Sequence, residues 1–372
     1  MPKIAIDAMG GDHAPAAVVE GALLAARDNG VEVLLVGQKA VVEQELNRHP
    51  GPARLEIIDA TQIVLMHESP SVALRKKDSS IKVGFELMKR GQADAFVSAG
   101  NSGAMMAIGM FVVGTLPQVV RPAILIVVPS RGKGTVIVDA GANVDCKPHQ
   151  LVQFGFMGSI YAECILQIAT PRVGVLSNGE EEGKGNDLTR AVSEQLSTAP
   201  LNFIGYVEGR DIFNGKVDVV VCDGFTGNIA LKTMEGVASF AGEVLKEAFQ
   251  KNLSSRVGYL FSRSSLTEAS RRLDYAEYGG APLIGLDGVA IIAHGGSSPL
   301  AIKNAIRAAG EAVNQEMNRH IADALASADG LVGDKKEGLP RKLWHRFKSK
   351  IESLGEKSET PTEPTDRGRS GE

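Results

Sequence analysis

The segment from Ser98 to Gly103 combines the residue types that hold an anion. A short apolar run ends there in Ser, Gly and Asn, and an apolar, Met-rich helical pattern follows at once. Glycines let the backbone approach a ligand closely, and the free N–H groups and partial positive charge of a helix start attract negative charge. We therefore expect phosphate to be bound by Ser98, Gly100, Asn101, Ser102 and Gly103. An ordinary capped turn between a strand and a helix would look the same.

Lys184 lies between Gly183 and Gly185, in a loop that also carries the acidic run Glu180 to Glu182. A lysine on a Gly-rich loop can stabilise a phosphate or a developing oxyanion. It can equally be a solvated residue that balances the adjacent glutamates. The sequence leaves both interpretations open.

His13 and Cys222 are further side chains with reactive chemistry. His13 could act as a catalytic proton relay near neutral pH, but a cap on the helix that begins near Pro15 is the favoured interpretation. Cys222 follows an apolar strand and has no His in its loop, so a buried small hydrophobe is favoured over a nucleophilic thiol. The Cys and His spacings of metal sites are absent, so no metal is expected.

Six loops combine Gly with Asp, Asn, Ser, His or Lys, and each follows an apolar strand-like run. Because ligands bind beyond the carboxyl ends of parallel strands, we expect these loops to meet at one edge of a sheet and form one site. Asp7, Asp139 and Asp223 each end a strand, and at least two of them are expected to hold backbone N–H groups of neighbouring loops. The remaining candidate site residues are Asp12, Asn143, Asp145, Glu181, Thr226, Gly227, Asn228 and His294.

These loops need a scaffold, and the pattern along the chain predicts an α/β one. Near-continuous apolar strands alternate with helical segments, which is typical of a parallel sheet covered on both faces. Pro122–Val128 and Gly134–Val138 are expected to form a hairpin, which adds one antiparallel pair. Other predicted strands are Lys3–Ala8, Val31–Val36, Arg54–Ile58, Arg172–Leu176, Val217–Cys222 and Val289–Ala293. Predicted helices include Ser69–Arg90, Pro148–Leu166, Asn186–Leu196, Thr226–Gln250, Ser254–Leu273 and one from Ser298 to about Ala326.

Composition excludes several classes of protein. The chain has 372 residues, of which 44% are hydrophobic and 23% charged, as expected for a globular protein with a large core. A net charge of −4 gives no general basic field, so no nucleic-acid partner is expected. Three cysteines do not make a disulfide framework. No signal-peptide pattern opens the chain and no apolar run is long enough to cross a bilayer, so we expect a cytoplasmic protein.

The composition changes near residue 333, which predicts two parts. Residues 1–332 are expected to form the α/β domain, with a helical excursion at about 240–275. Residues 333–372 are expected to form a basic amphipathic helix, Leu339 to Leu354, followed by a disordered tail. Such a helix is typical of a segment that lies on a membrane surface, and equally of one that docks on protein.

Six segments resemble, in order, the phosphate acyltransferases of bacterial phospholipid synthesis (the PlsX type). The resemblance extends over about residues 3 to 325. The matching segments are IDAMGGDHAP at 6–15, VSAGNSGA at 97–104, DAGANVDC at 139–146, NGEEEGKG at 178–185, VCDGFTGN at 221–228 and LDYAEYGGAPL at 273–283.

The resemblance implies a three-layer αβα fold with a mostly parallel sheet, similar to phosphotransacetylase and to the isocitrate and isopropylmalate dehydrogenases. It implies transfer of a long-chain acyl group from acyl carrier protein to inorganic phosphate, without a cofactor. It also implies a homodimer that works at the membrane surface, with the membrane-bound glycerol-3-phosphate acyltransferase as a candidate partner. Two alternatives stay open, namely a phosphotransacetylase that acts on short acyl-coenzyme A and a non-catalytic adaptor for the carrier. No dinucleotide fingerprint follows the first strand, which disfavours a dehydrogenase.

The chemistry predicts direct displacement rather than an acyl-enzyme. Phosphate near pH 7 is already nucleophilic and needs to be held and aimed, which we assign to the Ser98–Gly103 segment. Attack on a thioester develops negative charge on oxygen, and Lys184 and Asn228 are the candidates to stabilise it. The basic cluster Arg75-Lys76-Lys77 is a candidate docking patch for the acidic carrier, although a solvated helix face has the same composition.

Overall fold

The computed structural model describes residues 1–28, 30–49, 55–181, 183–273 and 279–328. The strands are β1 (Lys3–Asp7), β2 (Glu32–Gly37), β3 (Leu55–Asp59), β4 (Ala95–Ser98), β5 (Ala123–Val128), β6 (Thr135–Val138), β7 (Arg172–Leu176), β8 (Asn202–Val207), β9 (Val219–Val221), β10 (Ala281–Ile284) and β11 (Val289–Ile292). The helices are α1 (Ala16–Asp28), α2 (Lys39–Leu46), α3 (Pro70–Ala73), α4 (Ser80–Lys89), α5 (Ser102–Val112), α6 (Pro148–Cys164), α7 (Asp187–Ser197), α8 (Asp211–Asn214), α9 (Gly224–Gln250), α10 (Leu253–Leu273), α11 (Pro299–Asn314) and α12 (Met317–Ser327).

The strands of the described residues form one eleven-stranded sheet in the order β3-β2-β1-β4-β11-β10-β5-β6-β9-β7-β8. Most neighbours are parallel, and the antiparallel pairs are β11 with β10, β10 with β5, and β5 with β6. The predicted hairpin is confirmed as β5 and β6, with Leu125 opposite Val138. The mostly parallel α/β fold expected from the sequence is therefore confirmed.

The three antiparallel pairs lie at the centre of the sheet and reverse its direction. Strands β1 to β4 and β11 run one way, whereas β6 to β9 run the other way. The carboxyl ends of β1, β4 and β11 consequently lie at one edge, which we call the first edge. Those of β6, β7 and β9 lie at the opposite, second edge.

Helices cover both faces of the sheet, because successive strand residues point to opposite sides. In β1, Ile4 and Ile6 pack in the layer that contains α1, α6, α7, α11 and α12, whereas Ala5 packs in the layer with α4 and α5. In the second layer the rings of Phe85 and Phe96 meet edge to face, with centroids 4.9 Å apart. Burial on both faces explains why the strands are apolar throughout.

Two predicted helices are each divided in two. In place of one helix over Ser69–Arg90 the chain forms α3 and α4, because Ser79 caps α4 by accepting a hydrogen bond from the Lys82 N–H at 3.3 Å. The helix expected to reach Ala326 ends after α11, where Glu316 adopts a left-handed conformation with φ of 48°, and α12 follows.

β8 and β10 have no counterpart among the predicted strands. β8 contains Gly205, which has a φ of 89°, and its register with β7 shifts between Val173 and Val175. β10 has four residues, one of them Pro282. It is nevertheless the strand that joins the two halves of the sheet, by pairing with β11 through Ala281 and Pro282 and with β5 through Leu283 and Ile284.

α9 and α10 occupy the range, at about residues 240–275, for which the sequence predicts a helical excursion. Their exposed apolar side chains include Val237, Phe240, Leu245, Leu253, Leu260 and Phe261. None of the helices in the described part of the chain has the length and apolar character needed to cross a membrane. The domain boundary expected after residue 332, the amphipathic helix Leu339–Leu354 and the tail lie outside the described residues.

Candidate functional site

The six polar loops form two groups rather than one. Loops after β1, β4 and β11 lie at the first edge, and loops after β6, β7 and β9 lie at the second edge. The nearest strands of the two groups, β11 and β6, are separated by β10 and β5, so the groups are also at least roughly 14 Å apart across the sheet, from three strand spacings of about 4.8 Å. The prediction that all six loops gather at one edge is therefore wrong for a single chain, because the β5–β6 hairpin reverses the direction of β6 and of the strands β9, β7 and β8 beyond it.

At the first edge, the Ser98–Gly103 segment joins β4 to α5, and we call it the anion loop. Asn101 caps α5 by accepting a hydrogen bond from the Ala104 N–H at 2.9 Å. The N–H groups of Ser102 and Gly103 begin the helix and have no acceptor one turn earlier. The Ser102 hydroxyl is exposed and makes no hydrogen bond with another described residue. These are the groups of the loop that can bind an anion.

Ser98 has a different role, because its side chain is fully buried. Its hydroxyl donates to the Asp7 carboxylate at 2.8 Å and accepts from the Gly100 N–H at 3.0 Å. Asp7 also accepts from the Met9 N–H at 3.1 Å. Burial raises the pKa of the Asp7 carboxyl, against hydrogen bonds from Ser80 and Ser98 that lower it. Ser98 therefore stabilises the conformation of the anion loop from its buried side, and its hydroxyl is not available to a ligand.

The Asn101 side chain is also fully used within the protein. Its Nδ2 donates to the carbonyl oxygens of Met66 at 2.9 Å, Glu68 at 2.8 Å and Leu65 at 3.3 Å. These contacts fix the preceding loop against the start of α5. The predicted contribution of Asn101 to phosphate binding consequently falls to its backbone.

Asp12, His13 and His294 complete the first edge, and their side chains are exposed. The Asp12 N–H donates to the Gly295 carbonyl at 2.8 Å, which joins the β1 loop to the β11 loop. His294 Nδ1 accepts from the Gly296 N–H at 3.1 Å. The His13 carbonyl, rather than its imidazole, accepts from the Ala17 N–H at 3.0 Å at the start of α1.

Three helices therefore begin at this edge. α1, α5 and α11 follow the adjacent strands β1, β4 and β11, and the Ser298 hydroxyl caps α11 by accepting from the Ala301 N–H. Each helix start carries a partial positive charge. Their convergence makes the first edge an electrostatically favourable place for an anion.

At the second edge, Asp139 organises the loop after β6. Its fully buried carboxylate accepts hydrogen bonds from the backbone N–H groups of Ile124, Gly141, Ala142 and Asn143 and from the Asn143 amide, at 2.6–3.1 Å. Burial raises the pKa of this carboxyl, although the hydrogen bonds oppose the rise. The Asn143 amide donates in addition to the Pro122 carbonyl at 2.8 Å. Asp139 and Asn143 are therefore structural. Asp7 and Asp139 both hold backbone N–H groups, as expected for at least two of the strand-end carboxylates.

The loop after β9 enters α9 in the same way. Asp223 caps the helix, accepting from the Thr226 N–H at 2.9 Å and from its hydroxyl at 2.8 Å. Gly227 is buried against the Asp139 carbonyl, and a Cβ there would overlap that oxygen. Asn228 and Asp145 are exposed and make no hydrogen bond with other described residues. Asn228 thus remains available to a ligand at the second edge.

Lys184 is exposed in the loop after β7, and Glu182 lies outside the described residues. Lys216 pairs with Glu180 at 2.7 Å, and Arg210 approaches the same carboxylate at 3.7 Å. Lys184 makes no ion pair with a described residue, and its N–H donates to the Glu181 carbonyl at 3.0 Å. The neutralisation of Glu180 that the sequence suggested for Lys184 is carried out by Lys216 and Arg210.

The cysteines near the second edge are poor nucleophiles. Cys222 is 3% exposed and its thiol contacts the Asp139 carbonyl at 3.5 Å. Burial raises the pKa of the Cys222 thiol well above its usual range and that of Cys146 to about 12. The interpretation of Cys222 as a buried small hydrophobe is confirmed. No group of three or more His, Cys, Asp or Glu side chains in the described ranges is arranged to hold a metal ion.

Sequence reasoning missed the residues that support the anion loop from the preceding segment. Glu68 and Lys76 form an ion pair at 2.7 Å, and Lys76 also donates to the Ile63 carbonyl at 2.5 Å. Lys76 is therefore not the solvent-facing member of a basic docking patch that its cluster suggested, whereas Arg75 and Lys77 are exposed. No sequence signal distinguishes Lys76 from its two neighbours, because the distinction depends on the fold of the segment.

Sequence comparison places the chain among known proteins. A family model described as "Fatty acid synthesis protein" matches residues 2–320, a range that contains all six motifs quoted above. The phosphate acyltransferase of Geotalea daltonii is 52% identical over 326 residues, which cover 87% of this chain and 94% of that protein. The phosphate acyltransferase of Geobacter sulfurreducens has the same identity and coverage.

Structural comparison supports the fold. A phosphotransacetylase from Streptococcus pyogenes superposes with a TM-score of 0.54 at 17% identity, covering 87% of this chain and 94% of that one. The EutD phosphotransacetylase from Staphylococcus aureus gives 0.52 at 16% identity, covering 84% and 94%. The expected likeness to the phosphotransacetylase fold is confirmed.

Proposed function

The chain belongs to the fatty acid synthesis protein family, and on that basis we propose that it transfers a long-chain acyl group from acyl carrier protein to inorganic phosphate. It is an enzyme of the phosphate acyltransferase kind. The products are acyl phosphate and the free carrier thiol. The acyl phosphate serves phospholipid synthesis, with the membrane-bound glycerol-3-phosphate acyltransferase as the proposed consumer.

The start of α5 carries this proposal. The N–H groups of Ser102 and Gly103 and the exposed Ser102 hydroxyl offer donors to a small tetrahedral anion. The neighbouring starts of α1 and α11 add favourable potential. The loops of the second edge carry three aspartates, Asp139, Asp145 and Asp223, against Asp7 and Asp12 in the loops of the first edge, so the first edge is better suited to phosphate. We therefore assign phosphate to the anion loop.

The reaction needs no acyl-enzyme. A phosphate oxygen forms a bond to the thioester carbonyl carbon, the C–S bond breaks, and the departing thiolate takes up a proton. Binding supplies orientation and removes water around the nucleophile. Cys222 cannot easily compete as a nucleophile, because its thiol is buried and the pKa of that thiol is raised. Steady-state kinetics should therefore show both substrates bound before either product leaves, and a ping-pong pattern would contradict this.

Lys184 and Asn228 remain our candidates for stabilising the negative charge on the carbonyl oxygen. They lie at the second edge, so they can meet phosphate on the anion loop only if the second edge of another protomer faces the first. We therefore propose a homodimer with composite sites. Removing a donor to an oxyanion costs about 10²–10³ in kcat, which is the loss expected for Lys184→Ala.

Mixed dimers test this arrangement. One protomer carries Ser102→Ala and the other carries Lys184→Ala. With composite sites, one of the two sites contains both intact residues, so the mixed dimer regains close to half of the wild-type activity. If each site lies within one protomer, both sites are damaged and no activity returns.

We propose peripheral association of this cytoplasmic protein with the membrane. Exposed Leu253, Val257, Leu260 and Phe261 at the start of α10 support this, with Phe261 86% exposed. The basic stretch between Lys335 and Lys350 is a second candidate from the sequence. Flotation with anionic vesicles should weaken for Leu260→Glu/Phe261→Glu. A chain that ends at Val332 tests the basic stretch separately, and undiminished flotation would remove it from the proposal.

One assay tests the activity itself. Palmitoyl-acyl carrier protein is incubated with and without phosphate, and free carrier thiol is measured. Thiol release that depends on phosphate supports the proposal. Release from acetyl-coenzyme A alone would indicate a phosphotransacetylase, and no release from either substrate would indicate a non-catalytic adaptor.

A further inference from the structure

The segment from Ile63 to Lys77, which we call the rim segment, stands directly beside the anion loop. The three hydrogen bonds from Asn101 Nδ2 fix its backbone at Leu65, Met66 and Glu68. Further along, Pro70 lies so close to Gly103 that a Cβ on that glycine would be 3.2 Å from Pro70 Cγ. A molecule bound on the rim segment is therefore held next to the proposed phosphate site.

The Glu68 side chain stabilises the conformation of the rim segment. The Glu68 carboxylate accepts from Lys76 Nζ at 2.7 Å and from the Leu65 N–H at 3.1 Å. The Lys76 ammonium and the Leu65 N–H hold the pKa of the Glu68 carboxyl below its usual range. Just beyond the segment, Asp78 accepts from the Thr61 N–H at 2.8 Å and from its hydroxyl. Both carboxylates are thus used in holding the loop.

The outward surface has the opposite character. Leu65 and Met66 are each 48% exposed and Val72 is 41% exposed. Arg75 and Lys77 are exposed and make no ion pair with any residue of the described ranges. The surface therefore presents apolar side chains next to two unpaired positive charges, on a backbone that is already ordered. Preordering reduces the entropy lost when a partner binds.

We propose that the rim segment is the docking surface for the acyl carrier protein that delivers the thioester. This inference rests on the proposed function, because it specifies where that donor binds. An acidic carrier complements Arg75 and Lys77 in charge, and opposite charges steer encounter and fix orientation. Leu65, Met66 and Val72 supply the apolar contact at the centre, and Asn101 couples the docked carrier to the anion loop. Asn101 is in this respect a positioning residue.

The surface fits a carrier better than it fits a lipid bilayer. Its three exposed apolar side chains are fewer than those on α9 and α10, which offer the larger apolar area. Its position beside Gly103 places it where the thioester has to arrive. A second copy of the chain is a further possible occupant, and the experiment below separates these cases.

Charge reversal tests the proposal. Arg75→Glu/Lys77→Glu should raise the KM for palmitoyl-acyl carrier protein at least about tenfold, while the KM for phosphate and the kcat at saturating donor stay unchanged. The matched control is Arg27→Glu/Arg131→Glu, which makes the same change in net charge at two exposed arginines without an ion pair among the described residues. The control should leave the KM for the donor near the wild-type value. Truncation by Leu65→Ala/Met66→Ala should raise the KM for the donor by about five- to tenfold.

The outcomes separate this inference from the proposed function. If the wild-type chain releases no thiol from palmitoyl-acyl carrier protein, the proposed function itself fails. If the wild-type chain is active but the charge-reversal variant and the control variant have equal KM values for the donor, the assignment of the docking surface is wrong. Weaker vesicle flotation with an unchanged KM would assign the rim segment to the membrane. Dissociation of a dimer in sedimentation, again with an unchanged KM, would assign it to a second copy.

Discussion

Two serines of the anion loop lie four residues apart, and the same substitution at each should affect a different property of the protein. Ser98 is fully buried, donates to Asp7 at 2.8 Å and accepts from the Gly100 N–H at 3.0 Å. The Ser102 hydroxyl is exposed and has no partner among the described residues. Ser98→Ala should therefore lower stability, whereas Ser102→Ala should weaken phosphate binding.

The structure sets the size of each effect. Ser98→Ala leaves the Gly100 N–H without its acceptor and removes a donor from the buried Asp7 carboxylate. A buried polar group left without a partner costs about 1–3 kcal/mol, and this applies to the Gly100 N–H, whereas Asp7 keeps the hydrogen bond from the Met9 N–H. The free energy of unfolding should therefore fall by roughly 1–3 kcal/mol. A domain has only about 5–15 kcal/mol in total. Ser102→Ala should change stability by less than about 0.5 kcal/mol, as is usual at the surface.

The expected effect of Ser102→Ala on phosphate follows from the charge of the ligand. A hydrogen bond to a charged group contributes about 1.5–3 kcal/mol, which corresponds to a rise of about 10- to 100-fold in the KM for phosphate. The KM for the acyl donor should change much less. Urea unfolding measures the first effect, and initial rates over a phosphate series at saturating donor measure the second. Ser197→Ala, at an exposed serine of α7, serves as a control that should show neither effect.

Two results would refute this reasoning. If Ser102→Ala raises the KM for the donor more than that for phosphate, phosphate does not bind at the start of α5. If Ser98→Ala folds with wild-type stability and loses only phosphate affinity, the hydroxyl of Ser98 faces the ligand rather than Asp7.

Three further predictions concern single residues. Burial raises the pKa of the Asp7 carboxyl, so the folded state binds that proton more tightly than the unfolded chain does. The free energy of unfolding should therefore fall as the pH rises through the raised pKa. Asp7→Asn should flatten this part of the pH profile in urea unfolding, and an unchanged slope would contradict the prediction. Gly227→Ala places a Cβ on the Asp139 carbonyl and should prevent folding or lower the free energy of unfolding by several kcal/mol. The control is Gly236→Ala, in the same helix with open space around it, which should be neutral or stabilising by up to about 1 kcal/mol in thermal unfolding. Cys222→Ala should retain thiol release with phosphate within about a factor of three, because direct displacement uses no protein thiol; inactivity with an intact circular dichroism spectrum would restore the acyl-enzyme hypothesis.

Local sequence determined the elements that carry the loops. The strand Arg172–Leu176 was predicted with the bounds that β7 has, and the β5–β6 hairpin was predicted from its Gly-containing link. Short-range rules sufficed there, because apolar runs bounded by turn residues depend on few distant contacts. The anion loop as a strand–turn–helix junction, and the family itself, also followed from the sequence.

Longer-range contacts decided the function of individual side chains. Ser98 and Asn101 were expected to face phosphate, yet both side chains bind groups of distant segments, Asp7 in one case and the carbonyls of Leu65 to Glu68 in the other. Lys76 likewise turns from its two basic neighbours toward Glu68. Nothing in the local sequence separates these residues from their exposed neighbours, because a hydrogen bond between distant residues is formed only when the chain folds.

The sequence by itself determined that six polar loops follow apolar strands, but only the tertiary structure decided which of them meet. The tetrapeptide β10 carries no strand pattern of its own, yet it lies between β11 and β5 and pairs antiparallel with both, so that β5 runs in the same direction as β11. The β5–β6 hairpin then reverses β6 and the strands beside it, which sends the loops of Asp139, Lys184 and Asn228 to the second edge, away from the anion loop. Strand direction is a property of the assembled sheet, since hydrogen bonds between strands depend on which backbones lie side by side.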